Sequence, residues 1–106
     1  MLKDQTHDVI PPLKKSLEDK SGNIRILAAE ALYNTDFKEL STEILRKELN
    51  NQNELLRVYA LNSIDCLGVS PYVFKEDVEA LLKDKDPTDN TYYLRAAREL
   101  IKKWDL

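Results

Sequence analysis

The stretch Leu17–Leu32, LEDKSGNIRILAAEAL, decides the fold. Residues 19–23, near its beginning, are rich in side chains that cap helices and bend the chain. Apolar residues then recur at helical spacing, with Ile24, Ala28 and Leu32 four positions apart. The stretch therefore predicts a polar turn followed by an amphipathic α-helix.

The same pattern returns further along the chain. When residues 9–35 are shifted by 32 positions onto 41–67, Leu13 falls on Leu45 and Ala28 falls on Ala60. A third unit matches at shifts of 33 and then 37, and the extra residues fall in the polar segment 84–90. Such repetition is typical of architectures in which each unit is one helix hairpin. The units are predicted at about 8–36, 37–69 and 71–104.

The composition favours an all-α fold. Only two glycines and four prolines interrupt the 106 residues, and the abundant Leu, Ala, Glu and Lys are helix formers. The alternation of apolar and polar residues that marks strands is missing. Six helices are predicted, near residues 8–18, 22–34, 37–49, 53–67, 73–83 and 90–104. Gly68 is expected to end the fourth helix in the left-handed conformation.

The second helix of each unit carries an apolar stripe that we interpret as core. The stripe comprises Ile24, Ala28, Ala31, Leu32 and Thr35 in the first unit, and Leu56, Ala60, Ser63, Ile64 and Leu67 in the second. Small residues in the stripe allow a neighbouring helix to come close. Since a lone hairpin cannot bury such a stripe in water, the units are expected to stack and share one core.

Charge and hydropathy exclude several classes of partner. Hydrophobic residues make up 42% and charged residues 33% of the chain, and the net charge of −3 is spread evenly. A nucleic-acid-binding protein needs a basic stripe, which is missing, so nucleic acid is not predicted as a partner. No apolar run approaches the length of a membrane span, so no membrane partner is predicted either. The single cysteine, Cys66, excludes an internal disulfide.

The stretch 17–32 resembles a HEAT repeat. Asp19 stands in the inter-helix turn, an aliphatic–Arg pair follows at Ile24-Arg25, and the second helix continues with Ala28-Ala29 and Ala31-Leu32. The resemblance implies an α-solenoid, an α-α superhelix of about three HEAT-like hairpins, used for scaffolding or protein contact. It also implies that Asp19, Arg25 and Arg57 form a structural ladder between units.

A second resemblance concerns the segment Arg57–Gly68, RVYALNSIDCLG, together with residues 92–97, YYLRAA. These stretches are similar to HEAT-like C-terminal regions of some bacterial sulfatases. That resemblance implies a tail that buttresses an enzyme domain in a secreted or periplasmic hydrolase; without it, a cytoplasmic protein is expected. The Cys/Ser-x-Pro-x-Arg motif of sulfatases does not surround Cys66, so no catalysis is predicted for this chain.

Two groups of side chains have a chemical interpretation beside a structural one. Cys66 could be a nucleophile, but no base stands near it in the sequence, and we interpret it as a half-buried packing residue. The acids Asp84, Asp86 and Asp89 with Asn90 faintly suggest a calcium loop, but the order of ligands in an EF-hand is missing. We interpret them as a polar loop, and neither a metal nor a cofactor is predicted.

The helix face opposite the predicted core stripe is the candidate binding surface. It carries Ile26 and Tyr33 in the first unit and Val58 and Leu61 in the second, with Arg95 and Arg98 at the corresponding positions of the third. Apolar side chains on an outward line are expected to be covered by something. The sequence therefore predicts a contact surface for another protein or for a flanking domain of the same polypeptide.

Overall fold

A computed structural model describes residues 12–104, and these residues form helices without any strand. Residues 12–16 are helical and are called α1. The other helices are α2 (Gly22–Leu32), α3 (Lys38–Leu49), α4 (Glu54–Leu67), α5 (Pro71–Leu82) and α6 (Tyr92–Trp104). The predicted all-helical fold is confirmed, and the bounds of α2 to α6 agree with the predicted ones to within two residues. The beginning of the predicted first helix lies outside the described residues.

Local signals at the helix ends explain why the boundaries could be predicted. The side chain of Asn53 caps α4 by accepting a hydrogen bond from the Leu55 amide at 3.0 Å. Gly68 ends the same helix with a φ of 60°, in the left-handed conformation that glycine adopts without strain. Pro71 is the first residue of α5, where a missing N–H costs nothing.

The helices are arranged in two layers. In one layer α4 lies between α2 and α6, and in the other α3 packs on α5. The layers are joined because α3 contacts both α2 and α4, and because α5 contacts α6. The central helix α4 is therefore packed on three sides, by α2, α3 and α6.

The two layers enclose a continuous hydrophobic core. Its largest fully buried apolar side chains come from all five helices α2 to α6: Leu32, Leu45, Leu49, Leu61, Ile64, Phe74, Val78 and Leu94. Small side chains fill the narrow places, since Ala29, Ala60 and Ala97 are completely buried. Gly22 lies against the side chain of Leu56, so the first turns of α2 and α4 are in direct contact.

The predicted core stripe is correct for α4 but not for α2. In α4, the stripe residues Ala60, Ser63 and Ile64 are buried, as expected. In α2, Ile24 and Ala31 are exposed, although Ala28 and Leu32 are buried. The buried face of α2 comprises Gly22, Ile26, Ala28, Ala29 and Leu32. Its centre lies about 100° around the helix from that of the predicted stripe, because α2 packs against both α3 and α4.

Candidate functional site

Four of the predicted contact residues belong to the core, so the prediction that they are exposed is wrong. Ile26, Tyr33, Val58 and Leu61 expose only 3%, 5%, 5% and 2% of their surface. The prediction assumed that each helix buries one face, as a helix at the surface of a protein does. Because α4 is packed on three sides, its apolar arc extends around more than half of the helix.

The two arginines of the predicted surface have different environments. Arg95 is exposed on α6, and a binding role for it stays a prediction. Arg98 is half-buried, and its guanidinium group donates hydrogen bonds to the backbone carbonyls of Asp89 and Asp86. Arg98 thereby fixes the polar segment between α5 and α6. Because Arg95 is exposed, its charge stays in contact with water, which explains why a cation is tolerated there.

The bonds predicted from Arg25 and Arg57 to turn carbonyls are present, but they lie within each unit and do not form the predicted ladder between units. Arg25 Nη1 donates to the carbonyls of Asp19 and Lys20, at 2.8 and 3.1 Å. Arg57 Nε donates to the carbonyl of Asn51 at 2.6 Å. The Asp19 carboxylate instead accepts from the Ser21 amide at 2.8 Å. Each arginine thus ties its own helix to the turn that precedes it.

The carboxylate that Arg25 does contact is Glu48, a residue that the sequence analysis did not single out. Nε and Nη2 of Arg25 reach Oε2 and Oε1 of Glu48 at 3.1 and 2.9 Å, and Asn51 Nδ2 adds a bond to Oε1 at 3.1 Å. Glu48 is 1% exposed. Its hydrogen bond and charge raise the pKa of Arg25 above its ordinary value. The only sequence signal for Glu48 as the partner of Arg25 was its acidic side chain on a helix face that is otherwise largely apolar.

The arginines also contact aromatic rings of neighbouring helices. The Arg57 guanidinium lies 4.7 Å from the centre of the Tyr93 ring, which joins α4 to α6. Arg46 lies 5.7 Å from the Phe74 ring and forms an ion pair with Asp77 at 2.9 Å, which joins α3 to α5. These contacts hold the helices within each layer together, and they are structural.

Two of the turn acids, Asp86 and Asp89, accept local hydrogen bonds from the threonine two positions further along the polar segment. Asp86 Oδ1 accepts from the Thr88 amide at 2.8 Å, and Asp89 Oδ1 accepts from the Thr91 hydroxyl at 2.6 Å and from its amide at 3.0 Å. These bonds lower the pKa of both carboxyl groups below the ordinary 3.8. Within residues 12–104, no group of three or more His, Cys, Asp or Glu side chains could hold a metal ion.

The best candidate site is a groove of about 680 Å³ between α2 and α4, here called the α2–α4 groove. Its α2 wall presents Ile24, Leu27 and Glu30, and its α4 wall presents Tyr59 and Cys66. The buried residues Ile26 and Ser63 line it as well. Of the six predicted contact residues, only Ile26 contributes to this groove.

The groove is notable for the apolar side chains at its edge. Ile24 is 42% exposed and Leu27 is 63% exposed, and the two lie one turn apart on α2. Tyr59 is half-buried on the opposite wall. This site was not predicted, because Ile24 fits the apolar stripe that was interpreted as core. Leu27 was the sequence signal for this site, because this large apolar residue belongs neither to the predicted core stripe nor to the predicted contact surface.

The described residues that line the groove are mostly apolar or uncharged. Cys66 is exposed and not half-buried, so the predicted packing role is wrong. Among residues 12–104, no histidine or lysine lines the groove beside it, and Lys103, whose charge interacts with Cys66, is paired with Asp65 at 2.8 Å. The other lining groups are apolar side chains, amides, hydroxyls and one carboxylate. Groups of this kind are suited to contact with a ligand.

Comparison of the chain with protein-family models, with curated proteins and with solved structures gives no match. The resemblances to HEAT repeats and to the C-terminal regions of sulfatases therefore stay predictions. The coarser statement, that residues 12–104 form a small all-helical fold, rests on the structure itself. Among the described helices, none has the length and apolarity required to cross a membrane.

Proposed function

We propose that this chain is a non-catalytic module that binds another protein or a flanking domain, built as a short α-solenoid of HEAT-like hairpins. The observation that carries the proposal is the α2–α4 groove, where Ile24 and Leu27 are exposed beside Tyr59. Single exposed apolar residues are normal on protein surfaces. A concave site with adjacent apolar residues on its edge is instead typical of a contact surface.

Two features support the solenoid part of the proposal. The second helices of the three units, α2, α4 and α6, lie side by side in one layer, and the first helices α3 and α5 lie in the other. An arginine of each second helix also binds a carbonyl of its preceding turn: Arg25 binds Asp19, Arg57 binds Asn51, and Arg98 binds Asp89. Recurrence of both the packing and the arginine contact is expected of a repeat array.

The proposal is tested by selecting ligands without any assumption about their sequence. A displayed library of random peptides of about 15 residues, long enough to form a helix, is selected on the wild-type protein. Bound peptides are then measured on Leu27→Asp and on Leu55→Asp. Leu55 is the matched control, since it is 54% exposed on α4 but does not line the α2–α4 groove.

We expect the selected peptides to bind Leu55→Asp as well as they bind wild type, and to bind Leu27→Asp at least about ten-fold more weakly, as at an interface hot spot. Circular dichroism of both variants checks that each is folded. Peptides that bind Leu27→Asp and wild type equally would show that the groove is not the contact surface and would refute the proposal.

A further inference from the structure

Among the described residues that line the α2–α4 groove, one side chain is charged, and it is acidic. Glu30 is half-buried at the end of the α2 wall, and it makes no ion pair with any residue in the range 12–104. No lysine or arginine within residues 12–104 lines the groove, and Lys103, whose charge interacts with Cys66, is already paired with Asp65. The lining is therefore neutral and apolar along Ile24 and Leu27, and it becomes negative at one end.

The helix end at which Glu30 lies adds to the negative potential around its carboxylate. Glu30 lies in the last turn of α2, a turn that contains no basic residue. Unpaired carbonyl groups give the C-terminal end of a helix a partial negative charge, so a carboxylate there is unfavourable for the isolated fold. A cation supplied from outside would neutralise both the carboxylate and the helix end.

Spacing along α2 fixes where such a cation must lie. Ile24, Leu27 and Glu30 all line the groove and follow one another at intervals of three residues, which places each about 4.5 Å further along the helix axis and about 60° further around it than the last. A ligand that lies along the groove therefore meets two apolar positions and then the carboxylate. On a helical ligand, side chains one turn apart have this same separation.

We infer that the occupant of the α2–α4 groove is an amphipathic helical peptide segment of another protein or domain. It presents two apolar side chains one turn apart and a lysine or arginine one turn beyond them. The apolar pair contacts Ile24, Leu27 and Tyr59, and the cation contacts Glu30. This inference rests on the proposed contact function and specifies the chemistry of its partner.

Charge also argues against the other occupants. A second copy of the chain in a two-fold contact would bring the same lining residues, and the described ones include no cation to pair with Glu30. A nucleic acid or an anionic lipid surface would place further negative charge beside the carboxylate. The groove therefore matches a basic, amphipathic segment better than a self-contact or a polyanion.

Two synthetic peptides of about 15 residues test this inference, and both are Ala-rich so that they form helices. One carries two leucines one turn apart followed by a lysine one turn further, and the matched peptide has glutamate in place of that lysine. Each is also made with the reverse order of leucines and charge, because the ligand can lie in either direction. Binding is followed by isothermal titration calorimetry and by protection of Cys66, the only thiol of the chain, from alkylation.

We expect a lysine peptide to bind and to protect Cys66, and the glutamate peptide to bind roughly three- to ten-fold more weakly. Glu30→Gln should reduce the affinity for the lysine peptide by roughly two- to five-fold, the range of a partly exposed ion pair. The control Glu79→Gln, an exposed acid of α5 outside the groove, should leave the affinity unchanged.

The opposite outcomes separate this inference from the proposed function. Equal binding of both peptides that is lost in Leu27→Asp would overturn the role of Glu30 and leave the contact function in place. If no designed peptide protects Cys66 but selected library peptides depend on Leu27, the helical chemistry is overturned and the contact function stands. Leu27-dependent self-association of the wild-type chain would make a second copy the occupant. If no ligand of any kind depends on Leu27, both proposals fail.

Discussion

Arg25 and Glu48 form a two-point ion pair across the helix layers, with Nε 3.1 Å from Oε2 and Nη2 2.9 Å from Oε1. The glutamate is almost completely buried on α3, whereas the arginine keeps 20% of its side chain exposed on α2. The same guanidinium also holds the turn at Asp19. One side chain therefore neutralises a buried charge and fixes the beginning of α2.

Replacing Arg25 with alanine should lower the free energy of unfolding by about 2–4 kcal/mol, because it leaves the Glu48 carboxylate buried without its cation. Arg46→Ala is the matched control. It breaks the pair with Asp77, which is more exposed, and should cost only about 0.5–1.5 kcal/mol. Urea denaturation of both variants measures the difference. Equal losses would show that burial does not set the strength of these pairs.

The burial of Val58 and Leu61 predicts that Val58→Asp with Leu61→Asp unfolds the domain. Loss of a large apolar side chain from a core costs about 2–5 kcal/mol, and a buried carboxylate adds to that cost. Ile24→Asp with Leu27→Asp should leave the domain folded, since both side chains are exposed. Circular dichroism and thermal melting distinguish the two pairs. A folded Val58–Leu61 variant would contradict the arrangement of α4 between α2 and α6.

Gly22 is required by the close approach of α2 to α4. A Cβ atom at this position would overlap the Leu56 side chain, so Gly22→Ala should destabilise the domain by about 1–2 kcal/mol. The cost should fall in a Leu56→Ala background, where the space is free. A double-mutant cycle in urea gives the coupling. Additive effects of the two substitutions would show that Gly22 and Leu56 do not contact each other.

Ser63 has a buried hydroxyl without a hydrogen-bond partner among the described residues. Ser63→Ala removes a polar group that was desolvated without compensation, and alanine is the better helix former. We expect the free energy of unfolding to rise by about 0.5–1 kcal/mol, and we expect the same of Ser41→Ala, whose hydroxyl is in the same situation. A loss of stability in either variant would mean that the hydroxyl does have a partner.

The lowered pKa of Asp89 predicts a dependence of stability on acid. Hydrogen bonds from Thr91 hold this pKa below 3.8, so the unfolded chain takes up the proton first as the pH falls. The Asp89 carboxylate therefore contributes fully to the free energy of unfolding above pH 3.8. This contribution is lost as the pH falls through the lower pKa of the folded state. Asp89→Asn keeps the acceptor oxygen but lacks the charge.

Urea denaturation of wild type and Asp89→Asn over a series of acidic pH values checks this prediction. The difference in stability between the two proteins should shrink as the pH falls below 3.8. A difference that stays constant over the series would show that the Asp89 carboxylate is equally protonated in the folded and unfolded chains.

Much of the fold could be predicted because helix signals are local. Apolar spacing and the caps at Asn53, Gly68 and Pro71 depend on residues within one or two turns of each other. Arg25 and Arg57 could be predicted to bind the turns that precede their helices for the same reason. Arg98 was instead predicted at a contact surface. Its carbonyl partners lie nine and twelve residues before it, because the third turn is longer, whereas those of Arg25 and Arg57 lie five or six residues before them.

The site could not be predicted because it depends on how many neighbours each helix has. Ile24 and Ile26 are equally apolar, yet one is exposed and the other is buried. Their difference arises from the direction in which α3 and α4 pack on α2, which the sequence of α2 alone does not contain. The same holds for Val58 and Leu61, whose burial on the outer side of the stripe requires α6.

The pairing of the helices also bears on how the chain reaches its folded state. Among α2 to α6, the packed pairs are all nearest or next-nearest neighbours along the chain. Contact order is therefore low, and little entropy is lost in closing the loops that bring each pair together. We expect rapid folding, on the microsecond-to-millisecond scale of helical proteins. Because α2 and α6 do not need to meet, a nucleus can form around α4 and grow toward either end of the chain.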